Sequence, residues 1–554
     1  MVFPKRQVIG LVIITVFCIN NIWSQKKDNR DATPFKSPKL VVGIVVDQMR
    51  YDYLTRFWSH YGDGGFKRMV GEGFLCKDHH FNYAPTSTGP GHASVYTGAT
   101  PSMHGIIGNN WYDKENDISV YCVDDPSYSS VGIQGPAGQA SPHRLLVSTI
   151  TDQLRLHTQM RGKVVAVALK DRGAVLPGGH MANAAYWFVG GDEGKWVSSS
   201  YYMNTLPAWV QRYNESKAVD QYKKPWNTLK KITSYRESIV DDNAYEGLFE
   251  GKEKPVFPYD LPALWEANGG YDILRFTPYG NSMTTDFALE TLKGEELGRD
   301  DITDFLAISY SSTDYAGHKF GVDSKEVQDT YVRLDIELEK LFEKLDKEVG
   351  EGEYTVFLTA DHGAIPVPSY LSSNKMPAGY TGSLMGNQQF QDFLQYKYGG
   401  DELIKNISND QVFLDPEVVK SLDLDPREIQ EELARELLGY EDISQVYTAY
   451  QMQQNNFTSG IPYILQNGYN QKRSGDILYV PKPGYISYGK TGSTHGSAQI
   501  YDTHVPLLFY GAGIRQGSTT ERTEIPDIAP TISVLLGIAY PSGATGEPIG
   551  EVLE

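Results

Sequence analysis

Long apolar runs recur along the chain, and each stops on a polar or turn residue. They are "KLVVGIVVD" up to Asp47, "KVVAVALK" up to Lys170, "DFLAISYSSTD" up to Asp314, "YTVFLTAD" up to Asp361, and "HVPLLFYG" towards the C-terminal end. Val, Ile and Leu without strict alternation suit strands covered on both faces, as in a parallel sheet flanked by helices. Between the third and fourth runs, Val327, Tyr331, Leu334, Leu338, Leu341 and Leu345 recur at steps of four and three, with Glu and Lys between them. That period predicts one amphipathic helix packed on the sheet. Strand, helix and strand in series predict an α/β fold with a central, mostly parallel sheet.

Two stretches break the rhythm. Residues 178–280 are rich in Tyr, Trp, Gly and Pro; residues 366–489 run from a Gly/Tyr-rich start through the charged piece "DPREIQEELARELLG" to a turn-rich end. Both are expected to be insertions that cap one end of the sheet within a single domain, 38–554. At the other extreme of the chain, Lys5 and Arg6 precede the apolar segment "VIGLVIITVFCI", and polar residues succeed it from Ser24. A charged start, a short apolar segment and a polar exit predict a secretory signal peptide over 1–24. The apolar segment is too short to span a bilayer comfortably, and bulky Phe17 before Cys18 argues against lipoprotein processing. The expected product is exported, periplasmic or secreted, with no stable membrane association after cleavage. Cys76 and Cys122 then remain, and one disulfide or two free thiols stand equally open.

Charge narrows the partners. With 69 acidic against 50 basic side chains the net charge is −19 at pH 7, so no basic surplus exists to displace counterions from nucleic acid. An anionic substrate would need cations gathered locally.

The candidate chemistry lies where the apolar runs end, because ligands of open α/β sheets bind beyond the carboxyl ends of strands. Asp47, Lys170, Asp314 and Asp361 all fall there. His318 comes one helical turn after Asp314 in "STDYAGHKFG", His362 adjoins Asp361 in "TADHGA", and His495 sits in the Gly/Ser-rich "TGSTHGSAQ". Carboxylate and imidazole together ligate first-row metals, zinc above all. Three of each exceed the needs of one tetrahedral ion and suit two. A further stretch, "FNYAPTSTGPGH", places Thr86, Ser87 and Thr88 before a Gly-Pro-Gly at a strand-to-helix junction, where a hydroxyl can cap a helix or attack an anion.

Asp47, "APTSTGPGH", "HGIIGNNW", "LKDRG", "STDYAGH", "TADHG" and "STHGS", in that order, resemble the alkaline phosphatase superfamily. The pattern is most similar to the phosphate-irrepressible bacterial alkaline phosphatases, secreted monoesterases with a threonine nucleophile. The resemblance implies an alkaline-phosphatase-like three-layer fold and two zinc ions per chain. It implies Thr88 as nucleophile, leaving Thr86 and Ser87 structural. One zinc would take Asp47, Asp361, His362 and the Thr88 oxygen; the other would take Asp314, His318 and His495. Asn109, Lys170 and Arg172 match the residues that grip phosphoryl oxygens, and the substrates implied are small phosphate monoesters. The remaining histidines of these regions, His79, His80, His92, His104, His180 and His504, are expected to make structural hydrogen bonds. The alternative within the superfamily is a nucleotide pyrophosphatase/phosphodiesterase, against which Lys170 and Arg172 argue. A sulfatase is disfavoured because no Cys or Ser stands in a C/S-x-P-x-R context.

Overall fold

All five apolar runs form strands in the computed structural model, which describes residues 37–554. The expected signal peptide, 1–24, and Cys18 lie outside the described residues. The five strands belong to one ten-stranded sheet. Across it lie, in order, Gly517–Glu524, Phe74–His80, Leu507–Gly511, Tyr354–Thr359, Leu40–Val46, Asp304–Tyr310, Val164–Ala168, Ala184–Val189, Lys195–Ser199 and Ser130–Val131. The run of five from Tyr354–Thr359 to Ala184–Val189 is parallel throughout. Every residue of Leu40–Val46 and of Asp304–Tyr310 is buried, which is why these strands show no apolar-polar alternation.

The last apolar run differs from expectation. Leu507–Gly511 joins the sheet antiparallel to both of its neighbours. An antiparallel strand begins where parallel ones end, so the loop leading into it, which carries His495, lies at the same edge as Asp47 and Asp361. The predicted helix spans Lys325–Leu345, capped by Ser324, whose side chain accepts from the Val327 amide. All six residues of its apolar stripe are buried.

The stretch 178–280 supplies two sheet strands, Ala184–Val189 and Lys195–Ser199, whose Trp187, Phe188 and Trp196 are buried. Trp196 stacks on Phe287 of the helix Pro278–Gly294 with centroids 4.1 Å apart. Within 366–489, Ile404–Ser408, Gln411–Leu414, Ile477–Pro481 and Ile443–Thr448 form a four-stranded sheet. Its core, around Phe390, Leu394, Leu433 and Leu437, is separate from that of the large sheet. Cys76 and Cys122 are buried free thiols.

Candidate active site

The carboxyl ends of the parallel strands gather two groups of metal-ligand type. Asp47 directly succeeds Leu40–Val46, and Asp361 and His362 lie just past Tyr354–Thr359; these three form one group. Asp314 and His318 sit one turn apart on the helix Ser312–Phe320 and meet His495 from its loop to form the other. Within each group the ligand atoms all lie within 4.8 Å of one another. The two are adjacent: Lys170 Nζ reaches Asp47 Oδ2 at 2.6 Å and Asp314 Oδ2 at 2.5 Å.

Backbone carbonyls fix the imidazole tautomers. His318 Nδ1 donates to the Ser493 carbonyl at 2.8 Å, His495 Nδ1 to that of Thr86 at 2.7 Å, and His362 Nδ1 to that of Gly363 at 3.0 Å. A carbonyl only accepts, so Nδ1 carries a proton in each, and each Nε2 faces the carboxylates. His318 Nε2 lies 3.1 Å and His495 Nε2 3.7 Å from Asp314 Oδ1. His362 Nε2 lies 3.5 Å from Asp47 Oδ1 and 3.6 Å from Asp361 Oδ2. Asp47 Oδ1, Asp361 Oδ2 and His362 Nε2 are all buried without a hydrogen-bond partner. Three orphaned electron-pair donors converging in one buried spot fit a cation, and a mixed N/O set of this kind suits zinc.

Electrostatics agree with that fit. Burial drives the Asp47 carboxyl well above the usual carboxylate range, and Asp314 and Asp361 add to the effect. Burial likewise pushes Asp361 up to about 6. Burial works on Asp314 too, but His318 and Lys170 outweigh it and hold that group well below its ordinary value. Burial lowers His362 to about 3 and takes His495 well below the imidazole range. For Lys170, burial is overcome by Asp314 and Asp47, and its pKa rises. Burial would lower His318, but Asp314 outweighs it and raises that imidazole. In the first group, crowded carboxylates beside the lowered His362 form a donor set short of positive charge, which a divalent cation restores.

Thr88 opens the helix Thr88–Thr97, with Pro90 in its first turn. Gly91 is required there, since a Cβ would run into the Asp361 carbonyl; glycine lets the helix start lie against the ligand-bearing strand end. Thr88 Oγ1 lies 3.4 Å from Lys170 Nζ and 3.4 Å from Arg172 Nη2. Thr86 Oγ1 instead donates to the Ser497 carbonyl at 3.0 Å, and Ser87 is the residue preceding the helix. Asn109 Oδ1 accepts from the Gly89 amide at 2.7 Å, so its Nδ2 remains a free donor beside Thr88. Asn110 is exposed and begins the strand Asn110–Asp113. Every site residue expected from the sequence is thus brought into this one cluster.

Other residues of the cluster carry no sequence signal of their own. Gln48 bridges the two groups, its amide nitrogen donating to Asp361 Oδ1 at 3.1 Å and its Nε2 to Asp314 Oδ1 at 2.7 Å. Adjacency to Asp47 was the one hint in the sequence. Tyr121 OH accepts from Arg172 Nη1 at 3.0 Å and donates to Asp171 Oδ1 at 2.5 Å, fixing the guanidinium. His92 bonds the Thr88 carbonyl and Ser309 Oγ, each at 2.9 Å. His104 contacts Ser94 Oγ, His180 contacts Asp152, and His79 contacts Thr523 Oγ1. Asp78, His80 and His504 also lie close together, but the two rings stack at 4.5 Å and their Nε2 atoms face Asp78 Oδ1 and the Lys77 carbonyl.

The profile of the Type I phosphodiesterase / nucleotide pyrophosphatase family matches residues 41–505. Alkaline phosphatase PafA of Elizabethkingia meningoseptica is 43% identical, covering 100% of both chains. A Myroides odoratus protein called a calcium-transporting ATPase is 44% identical over 94% of this chain and 95% of its own; among the described residues here, no helix is long and apolar enough to cross a membrane. The crystal structure of wild-type PafA superposes with a TM-score of 0.90 at 44% identity, over 94% of this chain and 99% of that one. A solved PafA variant altered at one threonine, one asparagine, one lysine and one arginine superposes with a TM-score of 0.89. The full-length likeness in sequence and the matching fold agree with the geometry of the strand-end cluster, and the chain belongs to the alkaline phosphatase superfamily, as an alkaline phosphatase within the breadth of the Type I phosphodiesterase / nucleotide pyrophosphatase family.

Proposed function

We propose that the enzyme hydrolyses small phosphate monoesters through a phosphothreonine at Thr88, with two zinc ions held by Asp47, Asp361 and His362 and by Asp314, His318 and His495. The observation that carries this reading is Thr88 Oγ1 at 3.4 Å from both Lys170 Nζ and Arg172 Nη2, beside the orphaned ligand atoms of the first group. Zinc there would lower the pKa of an oxygen in contact with it and balance phosphoryl charge in a loose transition state. Thr88 Oγ forms a bond to phosphorus while the bond from phosphorus to the ester oxygen breaks, and the alcohol leaves with a proton. Water then attacks the phosphothreonine, releasing inorganic phosphate and restoring the Thr88 hydroxyl. Lys170, Arg172, the Asn109 amide and the helix start donate to the non-bridging oxygens. Support comes also from PafA, whose solved variant is altered at the same four residue types as Thr88, Asn109, Lys170 and Arg172. The amino-terminal pattern supports export.

A diesterase reading has the matched family profile in its favour. Lys170 and Arg172 weigh against it, because a diester has one oxygen fewer to offer two cations. Metal analysis with relative rates on an aryl phosphate and its methyl diester tests both parts. Two zinc per chain and a strong monoester preference are expected; one zinc with full activity, or a diester preference, overturns the proposal.

A further inference from the structure

The Lys170 ammonium touches one side chain that belongs to neither ligand group. Its Nζ lies 2.6 Å from Asp47 Oδ2, 2.5 Å from Asp314 Oδ2 and 3.4 Å from Thr88 Oγ1. It also sits over the ring of Tyr315, 5.0 Å from the centroid. An ammonium at that distance is attracted to the negative face of the ring. Tyr315 directly follows Asp314 on the helix Ser312–Phe320 and is half-buried. The two carboxylates are the ones that the proposed metals would claim, and Thr88 is the proposed nucleophile. The Tyr315 ring takes no part in either, so it stays available to the ammonium throughout.

The ring is itself held from the stretch 178–280. Tyr315 OH accepts from Arg275 Nη1 at 3.2 Å, and the Arg275 guanidinium carbon lies 5.9 Å from the Tyr315 centroid. Arg275 is anchored in turn: its Nη2 donates to the Phe188 carbonyl at 2.9 Å, and its Nε lies 2.8 Å from Asp272 Oδ1. Phe276 packs edge-on against Tyr315, with centroids 5.2 Å apart and planes at 70°. Phe188 is a buried residue of the sheet strand Ala184–Val189. A chain of contacts therefore runs from that strand through Arg275 and Tyr315 to Lys170.

We propose that Tyr315, braced by Arg275, is a positioning residue whose ring keeps the Lys170 ammonium beside the Thr88 oxygen and the phosphoryl group. The proposal rests on the reading of Lys170 as a donor to phosphoryl oxygens. A ring that only filled space would matter equally with or without Lys170; a ring that acts through the ammonium would not.

The test is a double-mutant cycle on the zinc-loaded enzyme. It reads kcat/KM for an aryl phosphate and for its methyl diester, with zinc content measured on the same samples. Tyr315→Leu should lower the monoester value about three- to thirtyfold, spare the diester and leave zinc unchanged. Tyr315→Phe keeps the ring and should recover most of that loss. In a Lys170→Ala background, Tyr315→Leu should cost less than about twofold more. Equal losses in both backgrounds or on both substrates, or a Phe variant as slow as the Leu variant, overturn the proposal. So does slowing that a loss of zinc explains. Should Lys170→Ala alone leave monoester turnover unchanged, the reading of Lys170 fails and the proposal with it. Should Lys170→Ala slow the monoester and Tyr315→Leu slow it further by its full factor, the proposal alone fails. If Tyr315→Leu does not fold, the same cycle with Arg275→Gln, which frees the ring, decides the matter.

Discussion

Replacing Arg172 by alanine isolates the proposed phosphoryl contact from the two carboxylate–histidine groups. Unlike Lys170, which bonds Asp47 and Asp314, Arg172 touches neither group; its Nη1 is held by Tyr121 and its Nη2 lies 3.4 Å from Thr88 Oγ1. Its Nε is buried without an acceptor. Nη2 and Nε therefore remain for a transferring phosphoryl group. Charge-assisted hydrogen bonds contribute ~1.5–3 kcal/mol each, so losing two should slow monoester hydrolysis by roughly two to four powers of ten. A diester carries an alkyl group on the oxygen that a monoester would present to this fork, and its rate should change by less than about tenfold. The assay is kcat/KM for an aryl phosphate and for its methyl diester, with zinc content measured on the same samples. Equal losses on both substrates, at unchanged zinc, would mean that Arg172 supports the fold and not the phosphoryl group.

The same geometry yields three further outcomes. Thr88→Ala should abolish monoester turnover and remove any phosphate found by mass spectrometry on the Thr88 peptide of quenched enzyme, whereas Thr86→Ala and Ser87→Ala should keep most activity. Tyr121→Phe removes one hydrogen bond to Arg172, worth about 1 kcal/mol, and should lower monoester kcat/KM about fivefold while sparing the diester; an unchanged rate would show that Asp171 and packing alone hold the guanidinium. The Asp361 carboxyl sits near 6 in the fold against 3.8 for the ordinary group, so the folded state holds its proton longer and the metal-free wild type loses stability as pH rises between those values. Asp361→Asn has no such proton to lose. In metal-free protein its urea midpoint should gain on wild type from about pH 4 to about pH 6 and then run level; zinc should reverse the ranking, and a difference independent of pH would refute the assignment.

The strand-end carboxylates and histidines were legible because a buried parallel strand advertises itself as an apolar run, and the residues just past its carboxyl end lie at the edge of the sheet where the cluster forms. Their grouping was not. Which carboxylate lies beside which histidine depends on the spatial order of strands, and only the resemblance anticipated that grouping. Gln48 escaped notice because an amide is neither a typical metal ligand nor part of an apolar period; its positive φ of 63°, which turns the chain between the two groups, leaves no mark in one dimension. His92 shares a motif with Thr88, yet both of its nitrogens are taken by the Thr88 carbonyl and Ser309. The strands at 184–189 and 195–199 were hidden by Trp, Tyr and Gly, a composition that reads as loop.

The bond from His495 to the Thr86 carbonyl joins residues 409 positions apart, and that from the Gln48 amide to Asp361 spans 313. Contacts this distant in sequence form late, because the entropy of closing such long loops must be met before they give anything back. The catalytic centre is therefore a property of the finished chain and of no smaller part. Partly folded molecules, and any amino-terminal fragment ending before His495, lack both the chemistry and the complete ligand set. Zinc uptake during refolding should consequently trail the return of secondary structure and coincide with the return of activity, making bound metal a reporter that the whole topology has closed.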